Sequence, residues 1–61
     1  MTIEDLTKKA QSDLGLEYVD ARAVVEEWLS YCVLTPAISS ALIAGSMQFV
    51  YSPTGVKVVR A

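Results

Sequence analysis

The chain has 61 residues, a formal net charge of −2, five basic side chains, no histidine and a hydrophobic content of 52%. A chain of this length forms one domain, here residues 1–61, with a small core. The single cysteine cannot form an internal disulfide, and without histidine or a second thiol we expect no metal and no cofactor. The apolar surplus predicts that a partner chain covers part of the surface.

The first helix is predicted over residues 3–14. Its apolar residues recur at helical spacing on one face: Ile3, Leu6, Ala10 and Leu14. Thr2 and Asp5 have the spacing of a variant capping box, and Gly15 stands where a left-handed residue commonly ends a helix.

A second helix is predicted to begin at Asp20, which is a good N-cap residue. Its apolar residues repeat in threes and fours: Ala21, Val24, Val25, Trp28, Leu29, Cys32 and Val33. Glu26 and Glu27 fall on the opposite, solvated side. Cys32 lies on the apolar face and has no histidine to activate it, so we expect a small buried hydrophobe rather than a nucleophile.

Thr35 and Pro36 predict the N-cap and first position of a third helix, which Gly45 would end. Ala37, Ala41 and Gly45 are spaced by four and lie on one face. Small residues at this spacing let another backbone approach closely, so we expect this helix to be buried.

A terminal β-hairpin is predicted after the third helix, because the apolar period changes from about four to two. The first strand alternates, with Met47, Phe49 and Tyr51 on one face and Gln48 and Val50 on the other. Pro53 and Gly55 have the positions of a type I turn followed by a left-handed residue, and a strand from Val56 to Arg60 returns.

Both faces of this hairpin carry apolar side chains, since Val50 and Val59 fall on the side of Gln48 and Lys57. Such a hairpin is either covered on two sides or offers an unpaired edge to another chain. The predicted fold class is therefore α+β: three short helices followed by a C-terminal β-hairpin.

The stretch from Ile38 to Arg60 resembles the second half of winged-helix domains, in which a third helix ends in glycine and continues into a two-stranded wing. The resemblance implies a reduced winged-helix-like arrangement and, as an alternative function, a small DNA-binding transcriptional regulator. Lys57 and Arg60 on the wing would contact phosphate. The third helix carries no Arg, Lys, Asn or Gln to reach base edges, so a protein-binding use of the fold is favoured and nucleic acid is not the expected partner.

No catalytic residue is predicted, because the usual general base near neutral pH is histidine. Neighbouring Glu26 and Glu27 point about 100° apart on a helix and cannot act as a pair. Asp13, Glu17 and Asp20 lack the glycine and the alternation of a calcium loop, so capping and solvation explain them. We expect no small-molecule substrate.

These observations predict a non-enzymatic protein-interaction module: an adaptor, inhibitor or structural joint of the kind found in phages and mobile elements. We expect self-association into a homodimer or higher oligomer. The candidate contact residues are Trp28, Tyr31, Ala37, Ala41, Val50 and Val59. Trp28 suits a core as well as an interface, whereas Tyr31 lies off the main apolar face and suits an exposed contact.

The uncharged stretch from Trp28 to Val56 imitates a membrane span with aromatic residues near both ends. Pro36 and Gly45 divide it into pieces too short to cross a bilayer. The acidic start of the chain lacks the pattern of a secretion signal. We therefore expect no membrane contact and a cytoplasmic protein.

Overall fold

The computed structural model describes residues 3–61. Its elements are the helices α1 (Ile3–Leu14), α2 (Tyr18–Ser30) and α3 (Pro36–Ala44) and the strands β1 (Met47–Ser52) and β2 (Gly55–Arg60). The predicted α+β arrangement is confirmed. The predicted cap at Thr2 lies outside the described residues.

The core is built on α1, whose predicted bounds and buried face are confirmed. Its buried apolar residues come from all three helices, the loop before α3 and β1: Leu6, Ala10, Leu14, Ala21, Val25, Leu34, Leu42 and Phe49. Thr7 is buried beside them, and its hydroxyl donates to the carbonyl oxygen of Ile3 at 2.7 Å. This bond satisfies the buried hydroxyl, which would otherwise destabilise the core.

The prediction that α2 starts at Asp20 was wrong, because the helix begins at Tyr18 and Glu17 takes the N-cap position. The amide of Ala21 donates to the carbonyl oxygen of Glu17 at 2.9 Å and closes the extra turn. The Tyr18 hydroxyl also donates to Glu4 of α1 at 2.6 Å, which ties this turn to the first helix. Asp20 is left in the first turn, where a carboxylate interacts favourably with the helix dipole.

The prediction that Cys32 is buried on α2 was also wrong. The helix ends at Ser30, and Cys32 is exposed in a left-handed conformation with φ of 58°. The amide of Cys32 donates to the carbonyl oxygen of Leu29 and the amide of Val33 to that of Trp28, at 3.1 and 3.0 Å. These two bonds form a Schellman motif, in which glycine is the usual left-handed residue.

The predicted ends of α3 are confirmed. The Thr35 hydroxyl accepts the amide of Ile38 at 3.3 Å, and Gly45 has a left-handed φ of 88°. The predicted burial is only partly confirmed, since Ser39 and Leu42 are buried whereas Ala37 is exposed. The helix turns Leu42 inward because burying this side chain removes more apolar area from water than burying alanine methyls.

The two strands form an antiparallel hairpin in a register that agrees with the predicted faces. The core face carries Met47, Phe49, Tyr51, Val56, Val58 and Arg60, and the outer face carries Gln48, Val50, Lys57 and Val59. Gly55 has the predicted positive φ, 125°, but it already pairs with Ser52. The second strand thus starts one residue earlier than the sequence indicated.

The outer edge of β1 is held by α1. The amide of Phe49 donates to the Asp13 carboxylate at 3.0 Å, and the other Asp13 oxygen lies 3.3 Å from the Lys9 ammonium. The Tyr51 hydroxyl donates to the carbonyl oxygen of Leu14 at 3.1 Å. These bonds fix β1 against the end of α1 and leave β2 on the far side of the hairpin.

We expect Cys32→Gly to raise the free energy of unfolding by about 0.5–1 kcal/mol, because glycine adopts a positive φ without steric cost. Urea denaturation followed by circular dichroism measures this change. Cys32→Ser is the control, since serine keeps a Cβ and should leave the stability nearly unchanged. Equal stability of the glycine and serine variants would contradict the account of this helix end.

We expect Asp13→Ala to lower the free energy of unfolding by about 1–2 kcal/mol, because the amide of Phe49 loses its acceptor. Asp13→Asn keeps an oxygen in place and should lose about half as much or less. The same denaturation experiment compares the two. If alanine cost no more than asparagine, the bond between Asp13 and Phe49 would not hold the strand edge.

Candidate functional site

An apolar groove opens beside β2. It has a volume of about 480 Å³ and is lined by Trp28, Val33, Ile38, Met47, Val56, Lys57 and Val58. The lining joins three parts of the fold: the end of α2, the start of α3 and the hairpin, which contributes Met47, Val56 and Val58 from its core face and also Lys57 of β2. Apolar concave surfaces of this kind are common sites of ligand and protein binding.

The end of α2 forms the helical wall of this groove. Trp28 and Val33 occupy the two positions of a Schellman motif whose apolar side chains often meet. Trp28 also packs edge-to-face on Phe49, with ring centroids 5.6 Å apart and planes at 66°. The indole is thus anchored on the core at one side and faces the groove at the other, while Val33 keeps 45% of its surface exposed.

The backbone of β2 borders the same groove with an open edge. Because the amide of Phe49 donates to Asp13, its pair with Val58 is not hydrogen-bonded across the hairpin. The amide of Ala61 donates to the carbonyl oxygen of Ser46 at 3.1 Å, so the pair of Ser46 and Ala61 is hydrogen-bonded. Hydrogen-bonded and non-hydrogen-bonded pairs alternate along the hairpin, in agreement with the open pair of Phe49 and Val58. In an antiparallel ladder the amides and carbonyls of Val56, Val58 and Arg60 therefore point away from β1.

No other element pairs with this edge in residues 3–61. The sheet contains β1 and β2 alone, and no Cα atom of a helix lies within 8 Å of a Cα atom of β2. We name the groove together with the outward backbone groups of Val56, Val58 and Arg60 the β2 surface. It combines unpaired main-chain donors and acceptors with an adjacent apolar cavity.

Comparison of the chain with protein families, with curated proteins and with solved structures found no match. What this surface can do is therefore inferred from its own geometry and chemistry.

The structure brings Trp28 into the β2 surface and places the other predicted contact residues elsewhere. Tyr31 is 68% exposed at the end of α2, outside the groove lining. Ala37 and Ala41 lie on α3, exposed and half-buried respectively, and Val50 and Val59 are half-buried on the outer face of the hairpin. These five lie outside the groove lining and stay predictions.

Sequence reasoning missed most of the groove lining. Val56 and Val58 could have been found from the alternation of the second strand, which puts them on the face of Phe49. Val33 could not, because the apolar period continues through Cys32 and nothing in the residue types marks the end of α2. Its position depends on a left-handed cysteine, which is uncommon for a residue with a Cβ.

Lys57 and Arg60, the basic residues of the alternative DNA-binding hypothesis, lie on opposite faces of the hairpin. Lys57 pairs with Val50 on the outer face, whereas Arg60 pairs with Met47 on the core face. Side chains on opposite faces of a two-stranded hairpin point apart. Phosphate contact by Lys57 and Arg60 stays a prediction.

A polar cluster joins α1 to the start of α2. The Arg22 side chain donates to Glu26 at 2.7 Å and to the Tyr18 hydroxyl at 3.1 Å. Its hydrogen bond with Glu26, and secondly that with Tyr18, raises the pKa of Arg22 above its ordinary value. The Tyr18 hydroxyl of this cluster donates to Glu4, which links the start of α2 to α1.

Asp13, Glu17 and Asp20 lie around the connection between α1 and α2. Asp13 is engaged by the amide of Phe49 and by Lys9. Across residues 3–61, no group of three His, Cys, Asp or Glu side chains is arranged to hold a metal ion. In the same range, no helix is both long enough and apolar enough to cross a bilayer.

We expect Trp28→Ala to lower the free energy of unfolding by about 2–3 kcal/mol, since the half-buried indole packs on Phe49. Trp28→Phe keeps an aromatic edge and should lose less than about 1.5 kcal/mol. Urea denaturation followed by circular dichroism tests both. An alanine variant as stable as wild type would show that the indole contributes nothing to the core.

Proposed function

We propose that the protein is a non-enzymatic protein-interaction module and that the β2 surface is its contact site. The observation that carries this proposal is the coincidence of an open strand edge with an apolar groove. An added strand would gain main-chain hydrogen bonds from Val56, Val58 and Arg60, and the groove would receive its apolar side chains. This division of roles is typical of β-strand addition, in which the backbone supplies affinity and the pockets supply specificity.

The residue content supports the non-enzymatic part of the proposal. The chain has no histidine, and the exposed thiol of Cys32 has no histidine to deprotonate it. The groove lining has one ionisable group, Lys57, and is otherwise apolar. A site of this composition recognises apolar surface and has no acid–base pair with which to carry out a reaction.

An adaptor, an inhibitor or a structural joint would each use such a surface. The three roles differ in the partner and share the requirement for a rigid frame with one strand edge left open. Here Phe49 fixes β1 in the core, and the covalent hairpin presents β2 beside it.

We expect Val33→Glu to weaken binding at the β2 surface about tenfold or more, because a carboxylate would replace an apolar side chain in the lining and would lose hydration when the groove is filled. Binding is measured by NMR in two ways: dilution of the labelled chain from millimolar to micromolar, and titration with peptides selected from a random library on the immobilised chain. Both should shift the resonances of Trp28, Val33 and Val56.

Val19→Glu is the matched control. Val19 is 68% exposed on the first turn of α2 and lies outside the groove lining, so the same substitution should change binding less than about twofold. The proposal fails if the chain neither self-associates nor binds a selected peptide, or if the two glutamate variants behave alike.

A further inference from the structure

We propose that the occupant of the β2 surface is a second copy of this chain, whose β2 pairs antiparallel with the first about a twofold axis at Val58. This inference rests on the proposed function and names its partner. The product is a continuous four-stranded sheet with the order β1-β2-β2-β1. The two helical layers lie on the same side of it, because a twofold axis perpendicular to a sheet keeps each face on its own side.

The outward backbone groups of β2 fit their own copy in this register. In a twofold antiparallel pair, a residue at the axis lies opposite itself, and its neighbours exchange partners in order. Val58 is the middle one of the three outward residues. Centring on it pairs Val58 with the partner's Val58 and Val56 with the partner's Arg60, so each outward amide of the three faces a carbonyl oxygen of the partner strand.

The charges of β2 favour the same register. Lys57 would lie opposite the partner's Val59, and Arg60 opposite the partner's Val56. Shifting the axis by one residue to Lys57 places two lysines directly across from each other, and like charges in that position are destabilising. The charge of Lys57 therefore disfavours the register centred on Lys57 relative to the register centred on Val58.

The side chains of β2 also match the groove. Residues paired across a sheet project from the same face, so the partner's Val56 and Val58 lie on the core face beside the groove. They would cover the exposed parts of Trp28 and Val33, and by symmetry the first copy covers the same groove in the second. An occupant of this surface needs alternate apolar side chains and a free backbone edge, and β2 supplies both.

Amide hydrogen exchange of the unmodified chain gives the first test, with light scattering to record the mass. The amides of Val56, Val58 and Arg60 should exchange rapidly at micromolar concentration and about tenfold or more slowly once the chain is dimeric. The amides of Lys57 and Val59 bond within the hairpin and serve as internal controls that change much less. A dimer in which the three outward amides stay unprotected overturns the inference.

A matched pair of variants tests the register. Val56→Lys and Val56→Glu both put a charge in the groove lining, so they should lower the free energy of unfolding by similar amounts. They differ in the dimer, because the axis at Val58 places position 56 opposite the partner's Arg60. We expect the dimer dissociation constant of Val56→Lys to exceed that of Val56→Glu about tenfold, from two symmetric contacts. On an Arg60→Ala background the difference should vanish. Equal dissociation constants with Arg60 present overturn the register.

A chain that stays monomeric at millimolar concentration overturns the inference as well. Titration with selected peptides then separates the two proposals. Peptide binding that Val33→Glu weakens and Val19→Glu spares would keep the β2 surface as a site for a different protein. Absence of both self-association and peptide binding would remove the proposed function itself.

Discussion

The insertion of Phe49 into the core is the constraint on which the rest of the structure depends. It is the one strand residue that is fully buried among residues 3–61, and its amide is bound by Asp13 at the end of α1. Its ring also supports Trp28, the largest side chain of the groove wall. Because a hairpin of two strands has two edges, fixing β1 against α1 leaves β2 open. One buried aromatic residue therefore decides which edge the molecule presents.

The sequence predicted the elements wherever a boundary has a chemical cause in the residue at that position. Thr35 accepts an amide, and Gly45 takes a left-handed φ without cost, so α3 could be delimited in advance. The start of α2 could not, because its extra turn is held by a tertiary hydrogen bond from Tyr18 to Glu4. Local patterns contain no information on a partner fourteen residues away in the chain.

The groove was less accessible to sequence reasoning than the fold. Trp28 stood out by its size, and strand alternation implies the face of Val56 and Val58. The groove exists, however, because α2 stops at Ser30 and turns Val33 back toward Trp28. That turn places a left-handed φ on Cys32, a residue that interrupts no apolar period. Composition indicated that apolar surface would remain exposed, and only the structure showed that it lies beside an unpaired strand.

The carboxylate of Asp13 has a consequence for how far any sheet built from this hairpin can extend. An exposed strand edge is a template for indefinite addition of further chains, and this is the usual hazard of a short hydrophobic β-rich segment. Here Asp13 of α1 already binds the Phe49 amide at the β1 edge, so a strand added at that edge would have to displace the carboxylate. Addition at β1 would therefore be disfavoured, and the helix that builds the core would also oppose the growth of filaments.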